Sequence, residues 1–230
     1  MSIQNTRLGK IRGIDKASCR IFLGVRYGEP PKRFRSPVMS DGWKDVFEAT
    51  EWPNRAMQIN KEGLFGQRIY GALSEDCLFM NIYTPSSSST GLLPVMVWIH
   101  GGGFRGGTGN EYDGSVLAPQ GNVIVITLNF RVGPFGHLDL SSQGPAFEGS
   151  ASNGFKDIIL ALNWIRQNIE DFGGDPGNVT VFGESSGGSS VLGLLGAPSA
   201  EGLFHKAIAH SATAAYRVSK DQSHIIAERL

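Results

Sequence analysis

Residues 178–195 read NVTVFGESSGGSSVLGLL. Val179 to Phe182 is a short apolar run of the kind that forms a strand covered on both faces. Ser186 to Leu195 is a run of small residues and leucines and predicts a helix. Between them stands Gly183-Glu184-Ser185-Ser186-Gly187, a Gly-x-Ser-x-Gly pattern. In a chain with 31 glycines that pattern alone proves little. Its place between a buried strand and a helix changes its meaning. A serine on so sharp a turn projects its Oγ above the sheet edge, and small flanking residues are needed because larger ones would meet the backbone. The helix N-terminus behind it favours negative charge at the same spot. Ser185 is therefore the candidate nucleophile.

The surrounding chain supplies a sheet for that turn. Val95 to Ile99 and Val123 to Leu128 are nearly continuous apolar runs, as central strands are. Phe79 to Tyr83 and Lys206 to His210 read as further strands, and Leu8 to Ile14 and Ile21 to Tyr27 as a β-rich edge. From Phe155 to Ile169, Phe155, Ile158, Ile159, Leu162, Ile165 and Ile169 form one stripe of an amphipathic helix. Gly173-Gly174-Asp175-Pro176 is expected to end it. Pro30 to Phe34 is expected to be extended, residues 54–76 a long surface loop and Ser86 to Gly91 a polar loop. Strands alternating with helices predict an α/β fold with a largely parallel sheet. No repeat or linker divides the chain.

A second glycine cluster follows the strand ending at Ile99. In His100-Gly101-Gly102-Gly103-Phe104, glycines after a strand let backbone N–H groups face a developing oxyanion. Gly102 and Gly103, with Ser186, are the candidate donors. Gly101-x-Gly103-x-x-Gly106 also satisfies the dinucleotide fingerprint, but GTGNEYDG follows rather than a helix, so nothing there would cradle a pyrophosphate.

Composition narrows the classes. The 230 residues are 40% hydrophobic and 18% charged, with 21 basic residues against 21 acidic. That balance gives no attraction to nucleic acid or anionic lipid. No apolar run reaches the roughly 18 residues of a membrane span. The opening MSIQNTRLGKIRG has no apolar h-region, so either the protein stays in the cytoplasm, the favoured expectation, or its true start lies upstream of Met1. Two cysteines, Cys19 and Cys77, do not make a disulfide scaffold. Asn178-Val179-Thr180 fits a glycosylation sequon but runs into a buried strand. His205 and His210, five apart, lack the spacing of a helical metal pair, and no metal is expected.

The stretches FLGVRYGEPP, SEDCLFMNIYTP, PVMVWIHGGGF, NFRVGPFG, SNGFKD, ALNWIRQNIEDFGGDPGNVTVFGESSGG and GLFHKAIAHS together closely resemble the type-B carboxylesterase/cholinesterase family over nearly the whole chain. The resemblance implies an α/β-hydrolase fold, with a mostly parallel sheet covered by helices on both faces. It implies hydrolysis of small carboxylic esters without a cofactor, by a serine, acid and histidine triad with a three-N–H oxyanion hole. It further implies ion pairs Arg33–Glu75 and Arg131–Asp157, places Glu184 near the catalytic centre, and has Ser211 support the triad acid.

The chain departs from that family in several ways. Acid and histidine should follow the nucleophile, yet after Ser185 come only Glu201, Asp221 and Glu228 with His205, His210 and His224, and none fits. His205 is expected to be a surface or packing residue and His100 to pack beside the glycine turn. Residues 1–230 are thus expected to be the N-terminal portion of a single α/β-hydrolase domain, nearly inert and poorly stable alone. The family's partner for Cys77 is replaced by Met57, in line with a reducing compartment. No tryptophan occurs in residues 58–76, so neutral, fairly apolar esters are expected rather than choline esters. A non-catalytic binding module on the same fold and an inactive shortened product are the alternatives. Oligomeric state is not legible.

Overall fold

The computed structural model describes residues 3–59, 69–86, 91–214 and 219–229. Its centre is a seven-stranded sheet. In chain order the strands are β1 (Ile14–Asp15), β2 (Cys19–Arg26), β3 (Phe79–Pro85), β4 (Leu93–Ile99), β5 (Ile124–Leu128), β6 (Gly174–Glu184) and β7 (Lys206–His210). In space they run β7-β6-β4-β5-β3-β2-β1. The four from β7 to β5 are parallel. From β3 outward every pairing is antiparallel. The sheet is therefore mixed, with its parallel part where the serine turn lies. Three residues separate β1 from β2, too few for the crossover a parallel pair needs.

Burial explains the pattern read from sequence. All five residues of β5 are buried, and β4 alternates between buried Leu93, Val95, Val97 and Ile99 and half-buried neighbours. Helix α1 (Asn153–Asn168) buries Ile158, Ala161, Leu162, Trp164 and Ile165 against the sheet. Each such large side chain contributes roughly 1.5–3 kcal/mol by leaving water. A 3-10 turn (Ile169–Phe172) follows, and Gly173 with φ 85° closes it in the left-handed region, as the glycine pair predicts. Helix α2 (Ser186–Leu195) leaves the end of β6. Helix α3 (Lys220–Glu228) begins at Ser219, which forms a reciprocal capping box with Gln222.

Both ion pairs implied by the family resemblance form. Asp157 is wholly buried in α1 and takes three bonds from Arg131: Nη2 at 2.6 Å, Nε at 2.8 Å and the backbone N–H at 3.0 Å. The Arg131 guanidinium beside it is held charged above its usual range by that carboxylate. Arg33 Nε lies 3.0 Å from Glu75 Oε1, but at the surface.

Three buried asparagines tie the loops to this sheet. Asn81 and Asn110 bond at 3.3 Å, and Asn129 Nδ2 reaches Asn110 Oδ1 at 3.2 Å. Asn110 donates to the carbonyls of Pro53 (2.8 Å) and Tyr70 (3.0 Å), and Asn129 to that of Asn54 (3.0 Å). Within the span read as loop, Arg55–Ala56 pairs in parallel with Leu73–Ser74; residues 60–68 lie outside the described residues, as do residues 87–90 of the polar loop.

Two local expectations are corrected. Phe34 has φ 61°, and Arg35 N–H bonds the carbonyl of Lys32 at 2.9 Å, so the Pro-rich stretch ends in a turn rather than continuing extended. The residue that shares the core with Cys77 is Ala56, not Met57, which is exposed. A one-residue offset turns a side chain to the opposite face. Cys19 and Cys77 are both buried and free.

Candidate active site

β6 ends at Glu184 and α2 begins at Ser186, so Ser185 alone makes the turn, with φ 56° and ψ −124°. A non-glycine residue there stores on the order of 1–3 kcal/mol of strain and persists only when its surroundings over-determine it. They do. Ser185 N–H donates to the carbonyl of His210 at 3.0 Å, and Ser189 N–H returns to the Ser185 carbonyl at 2.9 Å. A methyl group on Gly187 would stand 2.1 Å from the Ile99 carbonyl oxygen, and one on Gly183 2.7 Å from the same atom. The ends of β4 and β6 and the start of α2 meet at a distance only glycine allows, which is why the motif carries its two glycines.

The glycine turn after β4 lies directly against this elbow. A methyl group on Gly101 would be 3.2 Å from Ser185 Cβ and 3.2 Å from Glu184 Oε2. Gly102 has φ 120°, and its carbonyl accepts the N–H groups of Arg105 (3.1 Å) and Gly106 (3.2 Å). The turn thereby folds back on its own carbonyl. No hydrogen bond runs from the N–H of Gly102 or Gly103 to another described residue. Ser186 is buried as the first residue of α2, where an N–H has no partner within the helix. Ser185, Glu184, Ser186 and the glycine turn are thus gathered at one end of the parallel strands.

His100 sits behind the turn, not over the serine. It is buried, stacks on Phe130 with centroids 4.2 Å apart, and its Nδ1 lies 2.8 Å from the Gly101 carbonyl oxygen. Burial pushes the imidazole down to about 4, so the ring is neutral at ordinary pH. His205 accepts the Val179 N–H on Nδ1 at 3.1 Å, a packing role as expected. His210 ends the exposed strand β7. Ser211, with φ 48°, leads into a segment pinned on α2, where Thr213 N–H donates to Ser189 Oγ at 3.1 Å. Among the described residues no imidazole or carboxylate hydrogen bonds to the Ser185 hydroxyl. The His224 side chain lies outside the described residues.

A cleft of about 770 Å³ flanks the glycine turn, walled by Phe104, Phe130, Phe155, Ile158, Gly193 and Ile226 among others, with His137 and Asp139 at one side. Sequence reading did not find this cleft. Its walls come from six separate segments, and no local pattern in any one of them announces a shared cleft. Among the described residues no helix is long and apolar enough to cross a membrane.

Residues 1–229 match the carboxylesterase family. The chain is 46% identical over 226 residues to a para-nitrobenzyl esterase of Bacillus subtilis (strain 168), covering 96% of this chain and 45% of that one. It is 40% identical over 227 residues to carboxylesterase 5A of Homo sapiens, covering 92% and 39%. Among solved structures, a thermophilic PNB esterase superposes with TM-score 0.91 at 44% identity, over 99% of this chain and 47% of that one. A carboxylesterase of Geobacillus stearothermophilus gives TM-score 0.90 at 37% identity, over 100% and 47%. The chain spans between 39% and 47% of the length of these four relatives. With the serine elbow, the glycine turn and the two ion pairs in place on this sheet, the chain belongs to the carboxylesterase family and carries part of its α/β-hydrolase fold.

Proposed function

We propose that Ser185 is the nucleophile of a carboxylic ester hydrolase. The observation that carries this reading is the strained φ of Ser185 set directly against the glycine turn. In the reaction, Ser185 Oγ attacks the ester carbonyl carbon, the tetrahedral oxyanion accepts the N–H groups of Gly102, Gly103 and Ser186, and the alcohol departs. Water then attacks the acyl-enzyme, the acyl carbon–Oγ bond breaks, the carboxylic acid leaves and Oγ regains the proton that it gave up to the activating base. Loss of one such donor costs on the order of 10²–10³ in kcat. Glu184, adjacent to the nucleophile, adds a carboxylate at the rim of the site. The acid and imidazole that activate Ser185 come from polypeptide other than the described residues. The apolar walls of the neighbouring cleft support neutral, fairly apolar esters as substrates. The two buried free thiols accord with a reducing compartment.

The test is covalent labelling of the natural protein by a fluorophosphonate. Labelling confined to Ser185, lost in Ser185→Ala and accompanied by hydrolysis of simple alkyl esters, supports the reading. A folded natural protein that reacts with neither probe nor esters overturns it, and leaves a binding module on the same fold.

A further inference from the structure

The glycine turn is not self-supporting. It is closed at its near end by the Gly102 carbonyl, but its far end, at Gly107, depends on another part of the chain. Gly107 N–H donates to Gln58 Oε1 at 2.8 Å, while Gln58 Nε2 donates to the Gly107 carbonyl at 2.9 Å and to the Ala56 carbonyl at 3.1 Å. One side-chain amide grips both polar groups of one backbone residue. Only one orientation of the amide does this, since the flipped form would set its NH₂ against the Gly107 N–H.

Gly107 is the point at which such a grip has most leverage. A methyl group there would stand 2.3 Å from the Gly101 carbonyl oxygen and 2.5 Å from His100 Nδ1. Gly107 therefore presses on Gly101, and Gly101 in turn stands against Ser185. A displacement of Gly107 is passed to Gly101 and the Gly102 and Gly103 amides beyond it, because the packed turn has no slack to absorb it.

We infer that Gln58 is a positioning residue for the oxyanion-binding turn: its amide clasp on Gly107 sets where the Gly102 and Gly103 N–H groups point. This rests on the proposed hydrolase reading. Gln58 hydrogen bonds to Ala56 and Gly107, not to Ser185. Its effect passes through backbone it holds from 49 residues away in sequence.

A role of this kind separates ground state from transition state. Donors aimed at an oxyanion act only once the charge has formed, so misplacing them lowers kcat and leaves KM unchanged. In the natural full-length protein, Gln58→Leu keeps the bulk and removes the clasp. The expected result is a fall in kcat of about ten- to a hundredfold at constant KM. Binding of a trifluoromethyl ketone, which forms the tetrahedral oxyanion, weakens by a similar factor. Gln58→Glu keeps the acceptor for Gly107 N–H but sets a carboxylate against the Gly107 carbonyl. Its kcat, taken relative to the parent at each pH, rises as the carboxyl gains a proton and becomes a donor again. Packing alone would give no such dependence. Unchanged kcat in a folded Gln58→Leu protein, or a pH-independent ratio for Gln58→Glu, overturns the inference. Should the parent fail to react with fluorophosphonate, the hydrolase reading falls first. Amide hydrogen exchange across residues 101–107 then decides the clasp: faster exchange in Gln58→Leu supports it, and unchanged exchange overturns it.

Discussion

Ser185 hangs from His210: the backbone N–H of the strained residue donates to the last carbonyl of β7 at 3.0 Å. The elbow is thereby braced from the side opposite to β4, where Gly187 packs on Ile99. A strained turn gripped from both flanks keeps its serine in one orientation, and that orientation is what the proposed chemistry uses.

Gly187→Ala tests the grip on the β4 side. The added methyl would meet the Ile99 carbonyl oxygen at 2.1 Å, so the turn must shift. The expected cost is about 1–3 kcal/mol, read as a lowered urea midpoint, with fluorophosphonate labelling of Ser185 lost. At Gly91 nothing stands within 4 Å of an added methyl, and Gly91→Ala should leave both readouts unchanged. Equal behaviour of the two variants would count against the packing argument.

The two ion pairs should behave very differently. Asp157→Asn leaves the buried Arg131 guanidinium without its countercharge, at an expected cost of about 3–5 kcal/mol. Arg33→Ala breaks a pair at the solvent boundary and should not move the midpoint measurably, because water screens it. Equilibrium denaturation of both variants checks the contrast.

His100 should make stability depend on pH. Its folded value is about 4 against 6.5 when free, so the unfolded chain binds the proton first. Stability is full above about pH 6.5 and falls progressively as pH drops towards 4, by roughly 3 kcal/mol in all. Burial lowers His137 in the same direction. His100→Asn should remove part of that slope while leaving the carboxylate contribution in place. Urea midpoints of parent and variant between pH 7 and 4 measure the difference, and parallel curves would rule His100 out as its source.

The 230 residues on their own should be sticky. Every residue of β7 is exposed, Ile208 among them, as are Leu195, Ile225 and Ile226. An unpaired edge strand beside exposed apolar side chains is a template for association. We expect hydrophobic-dye binding and aggregation on warming; a cooperative melt of a monomer that leaves the dye dark would contradict this.

Legibility from sequence followed how local each signal was. Lys206–His210 and Ser186–Leu195 match their expected bounds to the residue, because an apolar strand, a glycine-flanked serine and a small-residue helix announce themselves within a few positions. β6 starts at Gly174 rather than Val179, since its first residues read as a helix stop and pair with a register shift. The antiparallel side of the sheet depends on which strands find each other, and no residue pattern within β2 or β3 states that. Ala56 was missed in favour of Met57 because one position decides which face a side chain takes. The hydrogen bonds from Gln58 to Gly107 span 49 residues and leave no local trace.

The asparagine cluster has a consequence for the stretch it holds. Asn110 and Asn129 hold the carbonyls of Pro53, Asn54 and Tyr70, so both feet of the intervening stretch are anchored by groups that do not belong to it. Closure entropy rises by only about 0.6 kcal/mol for each doubling of a loop, so holding the two ends in place fixes where the chain leaves and returns far more than loop length does. The scaffold thus offers a socket: the points at which the chain departs from and rejoins the sheet are set by Asn110 and Asn129.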